Sequence, residues 1–286
     1  MKSNSFVDVL AVSTKPAEEL AELLRPPTLK DWFLGYLHGV WVVTEIEIRK
    51  LRHDPFELVT RVVQPALWLV VFGEAFSRLR AIPTGNVNYL TFMTPGILAQ
   101  SLMFISIFFG ISIIWERDAG ILQKFLVMPV PRASFITGKG LGAGVRALCQ
   151  AVVIFGLALL LGVQLKWSVV GIVGSLLTVL VGSSFFSILS MLIAITVKTR
   201  ERFMGIGQVL TMPLFFASNA IYPLAIMPDW LRVVAQVNPL SYVVDLLRGY
   251  LVYGSVPNAL LDWTVLLIAV VIVQTIASLT YQTIVL

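Results

Sequence analysis

The chain has 286 residues, of which 57% are hydrophobic and only 13% charged, with a mean hydropathy of +0.87 and a formal net charge of +5. A soluble domain of this length needs more polar surface to cover its core, so the composition excludes an ordinary water-soluble protein and points to a chain that crosses a membrane several times. A single cysteine, Cys149, excludes an internal disulfide. The only histidines are His38 and His53, and no His/Cys/Asp/Glu set has ligand spacing, which argues against a metal centre.

Residues 1–27 contain only a brief apolar stretch and turn acidic after Lys15, so they read as a cytoplasmic tail rather than a secretory signal. Residues 28–58 read as an amphipathic helix and its connector. Trp32, Phe33, Tyr36, Leu37, Val40 and Val43 recur at helical spacing, and the basic run Arg49-Lys50-Leu51-Arg52-His53 closes the helix. Such a helix suits the inner water–lipid boundary, as a plain anchor or as a mechanical element. A helix needs roughly 20 apolar residues to cross the hydrocarbon layer. Residues 59–286 offer candidate spans at 59–76, 89–115, 141–165, 168–197, 204–227 and 263–281. The expected fold is therefore an all-α membrane protein with six transmembrane helices.

Within those spans, Pro95-Gly96 predicts a kink or a late helix start near the outer end of the second. Gly138, Gly140, Gly142 and Gly144 form two overlapping small-xxx-small pairs on the third, which allow another helix to approach closely, within the chain or across a dimer. The segment 228–262 is too apolar for a water-exposed loop and is broken by Pro228, Pro239 and Pro257. It reads as two short external helices, near 229–237 and 240–253, re-entrant or lying on the surface between spans five and six. Such a pair could cap the external end of a pathway. Asp245 and Arg248, three residues apart, are expected to pair.

Orientation follows from Lys and Arg placement. With the N-terminus inside and six spans, seven basic residues precede the first span and Arg61 lies at its inner end, five lie around the loop after the second, and three follow the fourth. Only Arg78, Arg80, Lys166, Arg232 and Arg248 then fall outside. Both termini are thus placed in the cytoplasm. The basic residues are divided among three separate segments, which argues against nucleic-acid binding.

The loop 116–139 is more structured than a simple turn requires. It opens with Glu116, Arg117 and Asp118, continues with apolar residues at helical spacing, and stops at Pro129 and Pro131. No phosphate-binding loop accompanies it: Gly138-Lys139 lacks the first glycine, with Ala133 in that place, and has Gly140 where Ser or Thr is needed. No nucleophilic triad is arranged, and intramembrane acids and histidines of the kind ion-coupled carriers use are nearly missing. Energy for any transport would come from a partner.

Glu116, Arg117, Gly120, Ile121, Leu122, Gln123, Pro129, Arg132, Gly138 and Lys139 resemble the signature region of the ABC-2 type permeases, which include the daunorubicin-resistance group. Ile121 and Gln123 depart from the Thr and Glu common there. The resemblance extends to Arg52–Pro55 with Gln64-Pro65 and Leu67-Trp68, to Pro95-Gly96, and to Tyr222-Pro223 followed by Asn238-Pro239-Leu240-Ser241-Tyr242 and Asp245…Arg248-Gly249, although Asn219 stands where Gly is common.

The resemblance implies a permease subunit in the cytoplasmic (inner) membrane that pairs with a second permease subunit, identical or different, and with two copies of an ABC ATPase. That ATPase, not this chain, would bind ATP and Mg. The loop would be a coupling helix, with Glu116, Arg117, Asp118, Gly120, Ile121, Leu122, Phe125 and Leu126 as its contact residues. Ile121, Leu122, Phe125 and Leu126 form the apolar stripe that a groove on a partner would take. Tyr222, Pro223, Asn238, Pro239 and Tyr242 are the candidate external gate. The nearly uncharged spans suit an amphipathic drug-, lipid- or glycolipid-like cargo. A non-transporting membrane scaffold and a secondary transporter are the alternatives.

Overall fold

A computed structural model describes residues 28–54, 56–79, 87–122, 131–197 and 199–280, and these fold entirely into helices and connections, with no strand among them. Helix α1 spans Leu29–His53. Thr28 and Asp31 start it with reciprocal bonds: the Thr28 hydroxyl accepts from the Asp31 N–H at 3.3 Å and the Asp31 carboxylate accepts from the Thr28 N–H at 3.0 Å. Next comes a helical run in three pieces, α2 (Phe56–Leu67), a π-helical segment (Trp68–Gly73) and α3 (Glu74–Leu79). Then follow α4 (Tyr89–Phe109), α5 (Ile111–Asp118), α6 (Arg132–Leu160), α7 (Val169–Thr196), α8 (Arg200–Phe216), α9 (Asp229–Val237), α10 (Pro239–Arg248) and α11 (Ala259–Thr280).

Among the described residues, four helical stretches are long and apolar enough to cross a membrane: Tyr89–Asp118, Arg132–Leu160, Val169–Thr196 and Ala259–Thr280. The other two apolar runs take different forms. The first is interrupted by its π-helical segment. The fifth gives only α8, which ends at Phe216, well before residue 227. The reason is a knot of polar contacts just beyond α8. The Ser218 hydroxyl caps the Phe215 carbonyl at 2.7 Å, and the Asn219 amide donates to Asp245 Oδ1 at 2.6 Å. Backbone drawn into such bonds leaves the helical path.

The bundle has a clear centre. In the apolar window of Tyr89–Asp118, 78% of residues are covered by the rest of the chain, against 17% for α11. The former is therefore the central stave, and the latter presents most of its surface outward. Pro95 lies within α4 rather than starting it, and the break falls at Gly110 instead. Gly96 is needed for proximity: a methyl group there would strike the Ala220 backbone.

The external pair divides sharply. In α10, Leu240, Val243, Val244, Leu246 and Leu247 are fully buried against α4, α7 and α11. In α9 only Ala235 is buried, and Trp230, Val233 and Val237 are exposed. Asn238 joins them, its side-chain oxygen accepting from the Leu240 N–H at 3.0 Å as α10 begins.

Candidate functional site

The most unusual chemistry lies where α1, α5 and α6 meet. The helical repeat of α1 carries Val43, Thr44, Glu47 and Leu51 on one buried face, so an acid is carried into an apolar contact. The glycines of α6 let that face approach. A Cβ added to Gly138 would lie 2.6 Å from Val43 Cβ, and one added to Gly142 would lie 2.6 Å from Glu47 Cβ. The other pair faces α7: Gly140 is set against Ile188 and Gly144 against Leu180. All four glycines are thus in use within one chain.

Glu47 is only 1% exposed and is surrounded by cations. Lys139 Nζ donates to its Oε1 at 2.7 Å, Lys50 Nζ to the same oxygen at 2.9 Å, and Arg146 Nη2 to Oε2 at 2.9 Å. Lys139 Nζ also bonds Glu116 Oε1, and Lys50 Nζ reaches that oxygen at 2.6 Å. Lys139, itself 1% exposed, sits 5.7 Å and 5.6 Å from the ring centres of Phe109 and Phe135. Burial pushes the Glu47 carboxyl up, but Lys139, Lys50 and Arg146 together outweigh it and hold it at about 2. Burial likewise lowers Lys50, and Glu47 and Glu116 more than reverse this, so Lys50 is raised. Two acids and three bases therefore form one charged joint, and every member has an opposite charge to offset its desolvation.

This joint gives the loop residues distinct places. Glu116 is turned inward and bound to α6 and α1, not presented to solvent. Arg117 donates to the Val197 carbonyl at 3.2 Å. Asp118 meets Arg200 at 3.3 Å, linking the loop to the start of α8, and Arg200 in turn covers the Trp115 ring at 5.2 Å. Gly120, at φ +67°, closes α5 in the left-handed conformation that favours glycine. Leu122 is buried in the inner core, whereas Ile121 is 41% exposed. The stripe is therefore split, because the local helix directs these neighbours to different sides. Phe125 and Leu126 lie outside the described residues.

The candidate gate residues form a second group near α10. Asn238 Nδ2 donates to the Leu214 carbonyl at 2.7 Å and the Ala217 carbonyl at 3.3 Å. Tyr242 donates to the Gln236 carbonyl at 2.6 Å, and Tyr222 donates to the Phe216 carbonyl. Pro223 leads into a single 3-10 turn, Leu224–Ile226, and Pro239 is the first residue of α10. Asp245 and Arg248 pair at 4.0 Å, and Arg248 also donates to the Asn219 carbonyl at 2.8 Å and lies 3.9 Å over the Phe92 ring. These contacts tie the end of α8 to α4 and α10.

Comparison with known proteins agrees with this architecture. The ABC-2 type transporter pattern matches residues 38–252, from α1 through α10. The chain belongs to the ABC-2 type transporter family. It is 30% identical over 217 residues to the ycf38 transport permease of Cyanophora paradoxa, covering 74% of each chain. It is 26% identical over 232 residues to ycf38 of Porphyra purpurea, covering 80% of this chain and 79% of the other. The daunorubicin resistance ABC transporter permease DrrB1 of Streptomyces coeruleorubidus is 26% identical over 204 residues, 71% of each. As an ABC-2 family member, this chain is a membrane-spanning permease subunit of an ABC transporter.

Sequence reasoning singled out Gly138, Gly142 and Glu116 but missed Glu47, Lys139 and Lys50 as one unit. The signal was present: Glu47 falls in step with Val40, Val43 and Leu51, at the position an apolar residue should occupy.

Proposed function

We propose that this ABC-2 permease exports an amphipathic drug-, lipid- or glycolipid-like substrate by alternating access, driven by separate ATPase subunits. The protein crosses the inner membrane six times with both termini in the cytoplasm. It pairs with a second permease subunit, identical or different, and each half meets one ATPase that binds ATP and Mg. The loop 116–139 receives the motion of that ATPase.

The observation that carries this reading is the anchoring of Glu116. A force applied at Glu116 acts on Lys139 of α6 through a buried charge-assisted bond and on Lys50 of α1 through a half-buried one, and such bonds are short and directional. Asp118–Arg200 offers a second connection, to α8. A loop that served only to reverse the chain would need neither. ATP-driven closure of the partner would therefore move α1, α6 and α8 together rather than bend the loop alone.

The test is co-expression with an ABC ATPase encoded beside the gene, purification, and reconstitution into vesicles. A panel of amphipathic drugs and lipids should stimulate ATP hydrolysis, and at least one should move across the membrane only when ATP is present. A permease that binds no ATPase, or that transports on an ion gradient without ATP, would overturn the proposal.

A further inference from the structure

The central stave is broken at one residue. α4 stops at Phe109, α5 restarts at Ile111, and Gly110 lies between them. Two backbone bonds tighten across the break: the Gly110 N–H donates to the Ile107 carbonyl at 3.2 Å, and the Ile113 N–H donates to the Gly110 carbonyl at 3.1 Å. Both reach back three residues instead of four, and such a 3-10 step inside a long helix often marks a hinge. Its cause is a side chain from α7. The buried Ser190 hydroxyl donates to the Ile107 carbonyl and so enters the helical ladder at that point. Only a glycine lets α7 come so near. A methyl group on Gly110 would strike Ser190 Oγ and would lie 3.0 Å from Phe203 Cζ of α8.

The break also falls where the hydrophobic core divides. Ile107 belongs to the larger apolar cluster, and Phe109 belongs to a second cluster on the side of the loop. α6 changes cluster between Ala143 and Ala147, and α7 between Phe186 and Ile188. α7 passes this level unbroken, but its buried Ser183, Ser184 and Ser187 bond back to carbonyls of their own helix, which eases bending. The cavities divide at the same level. One, of about 480 Å³, takes from the stave only residues before the break, among them Phe104 and Phe108. The other, of about 550 Å³, takes Phe108 and Phe109 before the break and Ile111, Ser112 and Trp115 after it. A turn at Gly110 therefore reshapes the second cavity and leaves the first as it is.

We propose that Gly110 is a hinge about which α5 and its loop swing against the larger core, that the Ser190–Ile107 bond latches it, and that the swing opens and closes the cavity beside Trp115. This deepens the transport reading above and rests on it for the source of the motion. The two fail separately, because the hinge is read first in the permease alone. Nitroxide labels are placed at Ala119→Cys, just past α5, and at Val152→Cys, on α6 beside the larger core, in a Cys149→Ser background. Both labelled positions are exposed. Their separation is measured by pulsed electron spin resonance on the full chain in nanodiscs. With the latch intact, one distance should dominate. Ser190→Ala removes a hydroxyl without adding bulk and should raise the share of a second distance about fivefold, the weight of one hydrogen bond. Gly110→Ala, which wedges α5 away from α7, should favour the same second distance. Trapping the ATPase complex with ATP and vanadate should make that distance the main one with Gly110 and Ser190 unchanged, an arm that stands even where a variant fails to fold. A distribution unaltered by both variants, or a trapped complex that keeps the first distance, would overturn the proposal. The second distance appearing in the variants of a permease that binds no ATPase would instead keep the hinge and remove the exporter.

Discussion

Glu47→Ala should be the most damaging single truncation on the cytoplasmic side. The carboxylate accepts from Lys139 at 2.7 Å and from Arg146 at 2.9 Å, and these cations are 1% and 5% exposed. Removing it takes away the acid they share, while their desolvation cost stays in place. Breaking a buried pair in this way costs about 3–5 kcal/mol. The exposed pair Arg49–Glu45, also at 2.7 Å but with side chains 72% and 40% exposed, is the internal control. Arg49→Ala should cost about 0–1 kcal/mol. Both variants can be compared in nanodiscs by denaturant unfolding, followed through tryptophan fluorescence. Reversing the pair as Glu47→Lys with Lys139→Glu should recover less than full stability, because Arg146 and Lys50 would then face a lysine. If Glu47→Ala fell within 1 kcal/mol of Arg49→Ala, the buried joint would not hold α1 to α6 and the reasoning would fail.

Other consequences follow from the same geometry. The Glu47 carboxyl is held at about 2 in the folded chain, against an ordinary 4.5. A depressed acid stabilises the fold above its unfolded pKa and loses that contribution as pH falls through the folded value. The protein should therefore keep this term above about pH 4.5 and lose about 3 kcal/mol between there and pH 2. Glu47→Gln should flatten that part of an unfolding-versus-pH curve, and an unchanged slope would count against the network. Gly142→Ala, whose new methyl would meet Glu47 Cβ at 2.6 Å, should cost about 1–3 kcal/mol by separating α1 from α6. Gly156→Ala on the same helix meets nothing within 4 Å and should stabilise by up to about 1 kcal/mol. A thermal-shift measurement that ranked the two glycines equally would refute the close approach.

Much of the helical layout is written in local composition. The runs that become α4, α6, α7 and α11 are apolar over enough residues to leave no other reading, and Pro228 and Pro239 frame α9. The glycines at 138, 140, 142 and 144 signal close packing, yet spacing alone does not say that one pair meets α1 and the other α7. The joint itself lies beyond local patterns. Glu47 and Lys139 are 92 residues apart, and each viewed alone resembles a boundary charge. Only the register of Glu47 within the stripe of α1 hints at its burial. The early end of α8 has the same character, since it depends on Asn219 reaching Asp245 across 26 residues. The separation of Ile121 from Leu122 likewise needs the path of α5, because an amphipathic stripe gives a direction but not the surface that receives it.

The central claim is that the loop 116–139 couples this permease to an ATPase, and charging the apolar stripe read from its sequence without touching the buried joint tests that most directly. Ile121→Asp combined with Phe125→Asp and Leu126→Asp places charge on the apolar stripe and leaves Glu116, Lys139 and Glu47 unchanged. Substrate-stimulated ATP hydrolysis by the reconstituted complex is the quantity to measure, alongside the amount of membrane-inserted permease. The account predicts normal insertion, loss of ATPase co-purification, and stimulation reduced to that of the ATPase alone. Full stimulation with the ATPase still bound would contradict it.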